Sequence, residues 1–157
     1  VGVVTDTDGW QGLAHQDVAD ADAMFKVLRS QIDVVLADGV GVLNAADPLI
    51  AGMAGLCDGE VLMYAIDSPD GLPAALTEHL AGGGRAAVLQ GGRVQLRSPQ
   101  GELSGPDLVG VLARKGRGGD AALAEALLAA VAAAWAYGIT PELIAAGLET
   151  FELQAAA

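Results

Sequence analysis

The chain has 157 residues, of which 52% are hydrophobic, and a formal net charge of −12. Its length and apolar content exclude general disorder and suit one domain with its own core. Its acidity argues against nucleic acid and anionic membranes as partners, because both require clustered Lys and Arg. The single cysteine, Cys57, allows no internal disulfide and is expected to be a structural thiol in a cytoplasmic protein.

Two apolar runs predict strands that end in polar residues. The first covers 1–5 and is followed by a polar loop over 6–16, and the second covers 40–44. Continuous β-branched runs are typical of buried parallel strands, and open α/β sheets bind ligands beyond the carboxyl ends of such strands. The residues at this edge are therefore our candidates for contacting a nucleotide or another metabolite: Thr5, Asp6, Asp8, Asn44 and Asp47.

Helical spacing, caps and a third apolar run predict the next elements. Asp17 is the expected N-cap of the first helix, and Asp47 with Pro48 is expected to open the second. The predicted elements in chain order are a helix over 17–32, a helix over 48–56, a strand over 60–66 and a helix over 72–81 that stops at the glycines 82–84.

A change of pattern near residue 85 predicts antiparallel strands. Alternating runs over 85–90 and 93–97 flank Gly91-Gly92, which is typical of a β-hairpin. Weaker strands are predicted over 102–104 and 107–112, so the hairpin region extends over about 85–112.

The segment over 121–139 is almost continuously apolar and close to membrane-spanning length. Its alanines insert weakly into lipid, Glu125 interrupts it, and no basic residue flanks its C-terminal side, so a buried helix is favoured. Trp135 is expected in the core. A final helix is predicted to open at Thr140-Pro141, with Leu143 and Leu148 facing inward.

These elements predict an α/β fold in one domain. We expect a mainly parallel sheet with flanking helices plus a small antiparallel β-hairpin or meander.

The order of the elements and several short segments resemble the Mur ligase family. Within it, the likeness is greatest to the Mur-like part of the synthetases that make cyanophycin, a poly-aspartate that carries arginine side groups. The segments are Leu43-Asn-Ala-Ala-Asp-Pro48, Gly83-Gly-Arg-Ala-Ala-Val88 with Gly92-Arg-Val-Gln-Leu96, the helix Leu128-Ala-Ala-Val-Ala-Ala-Ala-Trp-Ala-Tyr-Gly138 and Gly147-Leu-Glu-Thr-Phe151. The likeness implies that residues 1–157 are the rear part of the family's central domain.

The resemblance implies part of an ATP-dependent amide ligase with ATP and Mg²⁺ as cofactors. In the family, ATP phosphorylates a carboxylate, an amine attacks the acyl phosphate, and Mg²⁺ bridges the phosphates. The implied substrate is the poly-aspartate/arginine polymer. The implied partners are the remainder of a longer ligase or other subunits, with a homo-oligomer as a further possibility.

The chain departs from the family at its ligand positions. No Gly-x-x-x-x-Gly-Lys phosphate loop occurs in these residues, and one would be expected upstream of Val1, with a Rossmann-like domain after Phe151. By the resemblance, the family's Thr-Asn appears as Thr5-Asp6, and its Asp-His aligns with Trp10-Gln11. The family's lysine falls near Leu28, and the pattern Asn-Ala-Asp-Asp-Pro has lost one carboxylate at Ala46. The family's helix asparagine aligns with Ala126, next to Glu125. No catalytic residue and no certain metal ligand is assigned.

Each candidate also has a structural reading. Asp6 and Asp8 suit Mg²⁺ or a solvated capping loop. His15 suits a general base, a phosphate contact or a surface residue. Asn44 and Asp47 suit a nucleotide contact or a turn and a helix cap. The only basic cluster suits a phosphate or acidic polymer, or a mobile loop, and consists of Arg114, Lys115 and Arg117.

Three functional hypotheses follow. The first is a portion of an active ligase, and the second is a degenerate, non-catalytic scaffold or assembly module. The third and weaker one is a free-standing metabolite-binding domain. Under the first two, the isolated chain should not turn over ATP.

Overall fold

One mixed sheet of six strands runs through the molecule, with the strands arranged in space in their chain order. The computed structural model describes residues 1–152. Strands β1 to β4 are mutually parallel, whereas β5 and β6 are antiparallel to their neighbours, so the predicted fold class is confirmed. The strands are β1 Gly2–Val4, β2 Val40–Asn44, β3 Glu60–Ile66, β4 Arg85–Gln90, β5 Arg93–Ser98 and β6 Gly101–Asp107.

Helices cover both faces of the sheet. They are α1 Ala21–Asp33, α2 Pro48–Ala51, α3 Ala74–Ala81, α4 Leu108–Arg114, α5 Ala121–Ala136 and α6 Pro141–Thr150, and short 3-10 turns occupy Trp10–Gly12, Ala14–Gln16 and Gly52–Leu56.

Alternation along the strands divides the core into two layers. Val42 and Leu62 pack with α4, α5 and α6 on one face, while Leu43 and Met63 point to the face covered by α1, α2 and α3. The alanines of α5 have short side chains, and this lets the helix approach the sheet closely. Helix α5 therefore lies over β2, β3 and β4, where it can contribute to the edge at which those strands end.

The long apolar helix is a core element, as predicted. Within residues 1–152, no helix is long and apolar enough to cross a membrane. Trp135 is half-buried at its end, and the Arg85 guanidinium lies 4.1 Å from the centre of its ring. Cys57 packs against the core beside Ile32, in keeping with a structural thiol.

The start of α1 differs from the prediction. The N-cap is Asp20, whose carboxylate accepts a hydrogen bond from the Ala23 N–H at 2.8 Å. Asp17 has a φ of 62°, in the left-handed region, and ends the preceding 3-10 turn instead. Residues 18–20, which follow Asp17, are not helical, so Asp17 as the cap was wrong.

The strand predicted over 107–112 is also wrong, because β6 ends at Asp107 and residues 108–112 belong to α4. The Asp107 carboxylate accepts from the Gly110 N–H at 2.9 Å and caps the helix. Leu108, Val111 and Leu112 are buried while Val109 is 48% exposed, which is the spacing of a helix face and not of a strand.

The last helix begins at Pro141 as predicted, but its inward face is rotated. Leu143 is 64% exposed, so its predicted inward orientation was wrong. Ile144 and Leu148, four residues apart, form the buried face.

Candidate functional site

The carboxyl ends of β1 and β2 lie side by side, as the sequence predicts. The two strands are parallel, with Val4 opposite Leu43. One residue further along, the Asn44 side-chain amide donates to the Thr5 carbonyl across the gap at 3.0 Å. This hydrogen bond joins the two strand ends at the edge where open α/β sheets bind ligands.

Asn44 links four parts of the structure. Its amide nitrogen also donates to the Glu125 carboxylate of α5 at 2.7 Å, and its oxygen accepts from the Ala46 N–H at 2.9 Å. The residue is only 5% exposed. Both ends of its amide are therefore committed to the protein, and its observed role is to hold β1, β2, the following turn and α5 together.

The loop after β1 is organised by Asp6. Its two carboxylate oxygens accept from the Thr5 hydroxyl at 2.8 Å and from the Asp8 N–H at 2.9 Å. This is the geometry of an Asx-turn. It fixes the direction of the loop and places Asp8 beside the strand ends.

A cleft of about 350 Å³ opens at this edge of the sheet. The carboxylates of Asp6, Asp8 and Glu125 lie in its wall, and none of its lining residues is Lys, Arg or His. The potential in the cleft is therefore negative, which favours cations and opposes phosphates. The lining residues are Thr5, Asp6, Asp8, Tyr64, Ala122, Glu125 and Ala126.

Tyr64 is the buried polar residue of the cleft. It pairs with Asn44 in the β2–β3 register and is fully buried. Its hydroxyl has no hydrogen-bond partner among residues 1–152. Burial raises the pKa of the phenol well above its usual value, and the charges of Glu125 and Asp6 raise it further.

Tyr64 and Glu125 were not predicted as site residues. The signal for Tyr64 was present, since it is the aromatic residue near the end of an otherwise aliphatic strand. In the sequence, Glu125 is a charge inside an apolar helix and the neighbour of Ala126, the residue that aligns with the family's helix asparagine. Its position over the strand ends depends on how α5 crosses the sheet.

Asp47 lies outside the cleft wall. Its carboxylate accepts from the Leu49 N–H at 2.8 Å and the Ile50 N–H at 3.4 Å, so it caps α2. Its role as the N-cap of α2 therefore accounts for both hydrogen bonds of the Asp47 carboxylate.

The remaining candidates are not brought to the cleft either. Arg114 pairs with Glu149, and the Lys115 ammonium donates to the Glu149 carbonyl at 3.1 Å. Arg117 pairs with Asp120 at the start of α5. These three side chains therefore connect α4 and the turn that follows it to the end of α6 and to the start of α5. His15 is exposed in the second 3-10 turn and does not line the cleft.

Direct metal coordination has little support in the part of the chain that the structure describes. Carboxylate oxygens are suitable ligands for Mg²⁺. However, no group of three or more His, Cys, Asp or Glu side chains in residues 1–152 is arranged to hold a metal ion.

Known proteins of similar sequence were found for this chain. No family model matches the chain. Curated proteins named cyanophycin synthetase do: the one from Crocosphaera subtropica is 34% identical over 139 residues, or 88% of this chain. Those from Geminocystis herdmanii and Synechocystis are 30% and 31% identical over 86% and 88% of it. The chain spans only 15–16% of the length of these relatives.

A solved structure matches the fold. The UDP-N-acetylmuramoylalanyl-D-glutamyl-2,6-diaminopimelate–D-alanyl-D-alanyl ligase from Acinetobacter baumannii superposes with a TM-score of 0.54. The match is 19% identical and covers 96% of this chain and 29% of the ligase. The similarity to the synthetases extends along most of the chain, and the fold is that of a Mur ligase region. Over most of its length the chain is thus related to a region of the cyanophycin synthetases, and that region has the fold of part of a Mur ligase.

Proposed function

We propose that this chain is a structural portion of an ATP-dependent acid–amino acid ligase that acts on a poly-aspartate/arginine polymer through an acyl phosphate. One observation carries the proposal: Asn44 joins the ends of two parallel strands to α5 at the ligand-binding edge of the sheet. The identity to cyanophycin synthetases supports this polymer as the substrate. ATP and Mg²⁺ enter the proposal through the family alone.

The residues of the cleft do not fit a nucleotide phosphate on their own. Phosphate sites use backbone N–H groups, a helix N-terminus or basic side chains, whereas three carboxylates line this cleft without a cation. The Lys and Arg candidates at 114–117 are engaged elsewhere. In this proposal, the phosphate-handling groups therefore come from parts of the ligase other than the cleft residues described here.

The chain's own contribution is positional. Asn44 and the Asx-turn at Asp6 fix the strand ends relative to α5, and Asp47 fixes the helix that follows β2. The proposal includes the remaining ligase, or further copies of the chain, as partners, and a cytoplasmic location in keeping with one free cysteine.

A degenerate, non-catalytic scaffold is the second candidate function. The negative cleft and the structural use of Asn44, Asp47 and the basic cluster favour it. Both functions predict that the 157-residue chain alone does not hydrolyse ATP, so the two are distinguished only in the longer protein.

The test is a trapping assay on the full gene product that contains this chain. The protein is incubated with MgATP, a poly-aspartate primer and hydroxylamine. Hydroxylamine attacks the acyl carbon, releases phosphate and leaves a hydroxamate. Hydroxamate formed with one ADP per event supports the ligase, and omission of the primer is the control. A full-length protein that assembles yet forms neither hydroxamate nor ADP contradicts the ligase and favours the scaffold.

A further inference from the structure

The outer edge of β1 is open. Strand β1 stands first in the sheet, and within residues 1–152 it has β2 as its only neighbour. An open edge presents backbone N–H and C=O groups with which another strand can pair. Apart from its length of three residues, β1 has none of the features that usually block such pairing, because it contains no Lys or Pro and its register with β2 has no bulge.

The sheet register identifies which residue of β1 offers its backbone to a further strand. The Ala45 N–H donates to a carbonyl of β3, and alternate residues of a parallel strand face opposite neighbours, so Val42 faces β1. Val42 lies opposite Val3, and in a parallel pair such a residue bonds to the two neighbours of its opposite residue. Gly2 and Val4 therefore bond to β2, while the Val3 N–H and C=O point outward. No hydrogen bond outside the sheet uses the Val3 backbone within residues 1–152.

The side chains of β1 indicate what a neighbouring strand must carry. Val4 is 2% exposed on the side of α1, whereas Val3, on the side of α5, is only half-buried. The side chains of an added strand would alternate between these two apolar layers. The strand should therefore be aliphatic on both faces, as buried parallel strands are.

Exposed aliphatic side chains lie at the amino end of the same edge. Val1 is 56% exposed, Val34 71% and Leu36 73%. They line one hollow of about 320 Å³, which also includes Gly2. Contiguous exposed apolar residues mark interaction sites, whereas single ones do not. The hollow and the open edge share residues 1 and 2, and together they form one surface, which we call the β1 surface.

Two observations favour a segment of the same polypeptide over a second copy of the chain. A second copy would bring a further charge of −12 to a pairing of only three residues per strand. The chain spans 15–16% of the length of its relatives, so a protein of that kind contains other segments that can supply a strand. A tethered segment is held at a high effective concentration, so a short contact is sufficient.

We propose that the β1 surface pairs with an extended aliphatic strand from another part of the longer protein, which extends the six-stranded sheet beyond β1. The backbone of that strand bonds to Val3, and one of its apolar side chains fills the hollow beside Leu36. The inference rests on the part of the proposed function that makes this chain a portion of a longer protein, and it does not rest on catalysis.

Hydrogen exchange, measured residue by residue in the 157-residue chain and in the full gene product, tests the pairing. Relative to its intrinsic rate, the Val3 amide should exchange freely in the 157-residue chain and about 100-fold more slowly in the full gene product. The Val4 amide bonds to β2 and is the internal control, which should be protected in both proteins. In the full gene product, Leu36→Asp should reduce the protection of Val3. Leu103→Asp is the matched control, because Leu103 is also an exposed aliphatic residue but lies on β6.

Four results overturn the proposal. They are equal exchange of Val3 in the two proteins, fast exchange of Val4 in either, equal Val3 protection in Leu36→Asp and Leu103→Asp, and protection in the 157-residue chain that rises with its concentration. The last result would mean that a second copy covers the edge. Hydroxamate formation is measured on the same preparation: Val3 protection without hydroxamate supports the pairing and contradicts the active ligase, and hydroxamate without Val3 protection does the reverse.

Discussion

Replacing Asn44 by aspartate tests the junction that holds the cleft together. Asn44→Asp keeps the size of the side chain but removes the amide that donates to Thr5 at 3.0 Å and to Glu125 at 2.7 Å. A hydrogen bond to a charged acceptor contributes about 1.5–3 kcal/mol and a neutral one about 1 kcal/mol. The new carboxylate would also face Glu125 at a position that is 5% exposed. We expect the free energy of unfolding to fall by about 3 kcal/mol at neutral pH.

The loss should depend on pH with a defined sign. Two carboxylates in contact share a proton more readily than the same groups in the unfolded chain, where they titrate near about 4. The folded variant then binds more protons than the unfolded one, so its stability falls as the pH rises. The deficit relative to the native chain should be largest at pH 7 and shrink as the pH falls to about 5.

Urea unfolding followed by Trp fluorescence and circular dichroism measures this effect. Gln100→Glu is the matched control, since it adds the same charge at an exposed turn between β5 and β6 and should change the stability by less than about 0.5 kcal/mol. The reasoning is refuted if Asn44→Asp is as stable as Gln100→Glu at pH 7, or if its deficit does not change with pH.

Three further stability predictions follow from single contacts. Tyr64→Phe should raise the unfolding free energy by about 1 kcal/mol, because it removes a buried hydroxyl without a partner. Burial raises the pKa of Tyr64, so the native chain should also lose stability above about pH 10, where the phenol of the unfolded chain ionises. Tyr64→Phe should lose less stability over the same pH range. A Tyr64→Phe variant that is less stable than the native chain would contradict the prediction. Gly59→Ala should lower the free energy of unfolding by more than about 3 kcal/mol, because the added Cβ would lie 2.3 Å from the Gly39 carbonyl oxygen. Gly55→Ala adds its Cβ in open space and should leave the free energy of unfolding almost unchanged. Equal effects of the two substitutions would count against the packing described. Asp107→Ala should lower the free energy of unfolding by about 1 kcal/mol, because it removes the cap of α4. Thermal unfolding measures the change, and an unchanged midpoint would argue against the cap.

Strands β1, β2 and β3 could be predicted because each is a continuous apolar run with polar residues at its end. The hairpin could be predicted from Gly91-Gly92, both of which have positive φ, between alternating runs. These signals are local, and local patterns survive in the fold when the core agrees with them.

Elements with competing local signals were harder to predict. Asp17 and Asp20 both precede the apolar spacing of α1, and backbone conformation selects the second. Over 107–112, six residues are too few to distinguish alternation from helical spacing, and the Asp107 cap decides for a helix.

The site needed tertiary information for a different reason. Thr5 and Asn44 share an edge because neighbouring parallel strands end together, which the sequence indicates. Glu125 is 81 residues away from Asn44 and reaches it only because α5 crosses the sheet above the strand ends. Tyr64 becomes notable only once its hydroxyl is found without a partner.

The central claim is that β1, β2 and α5 meet at the Asn44 amide. Nuclear Overhauser spectroscopy on the labelled 157-residue chain tests it directly, because cross-peaks report protons that are close in space. We predict cross-peaks from the Asn44 side-chain amide protons to both the Thr5 Hα and the Glu125 Hγ protons. An Asn44 amide with cross-peaks to neither residue, while β2 and β3 remain paired, would contradict the account.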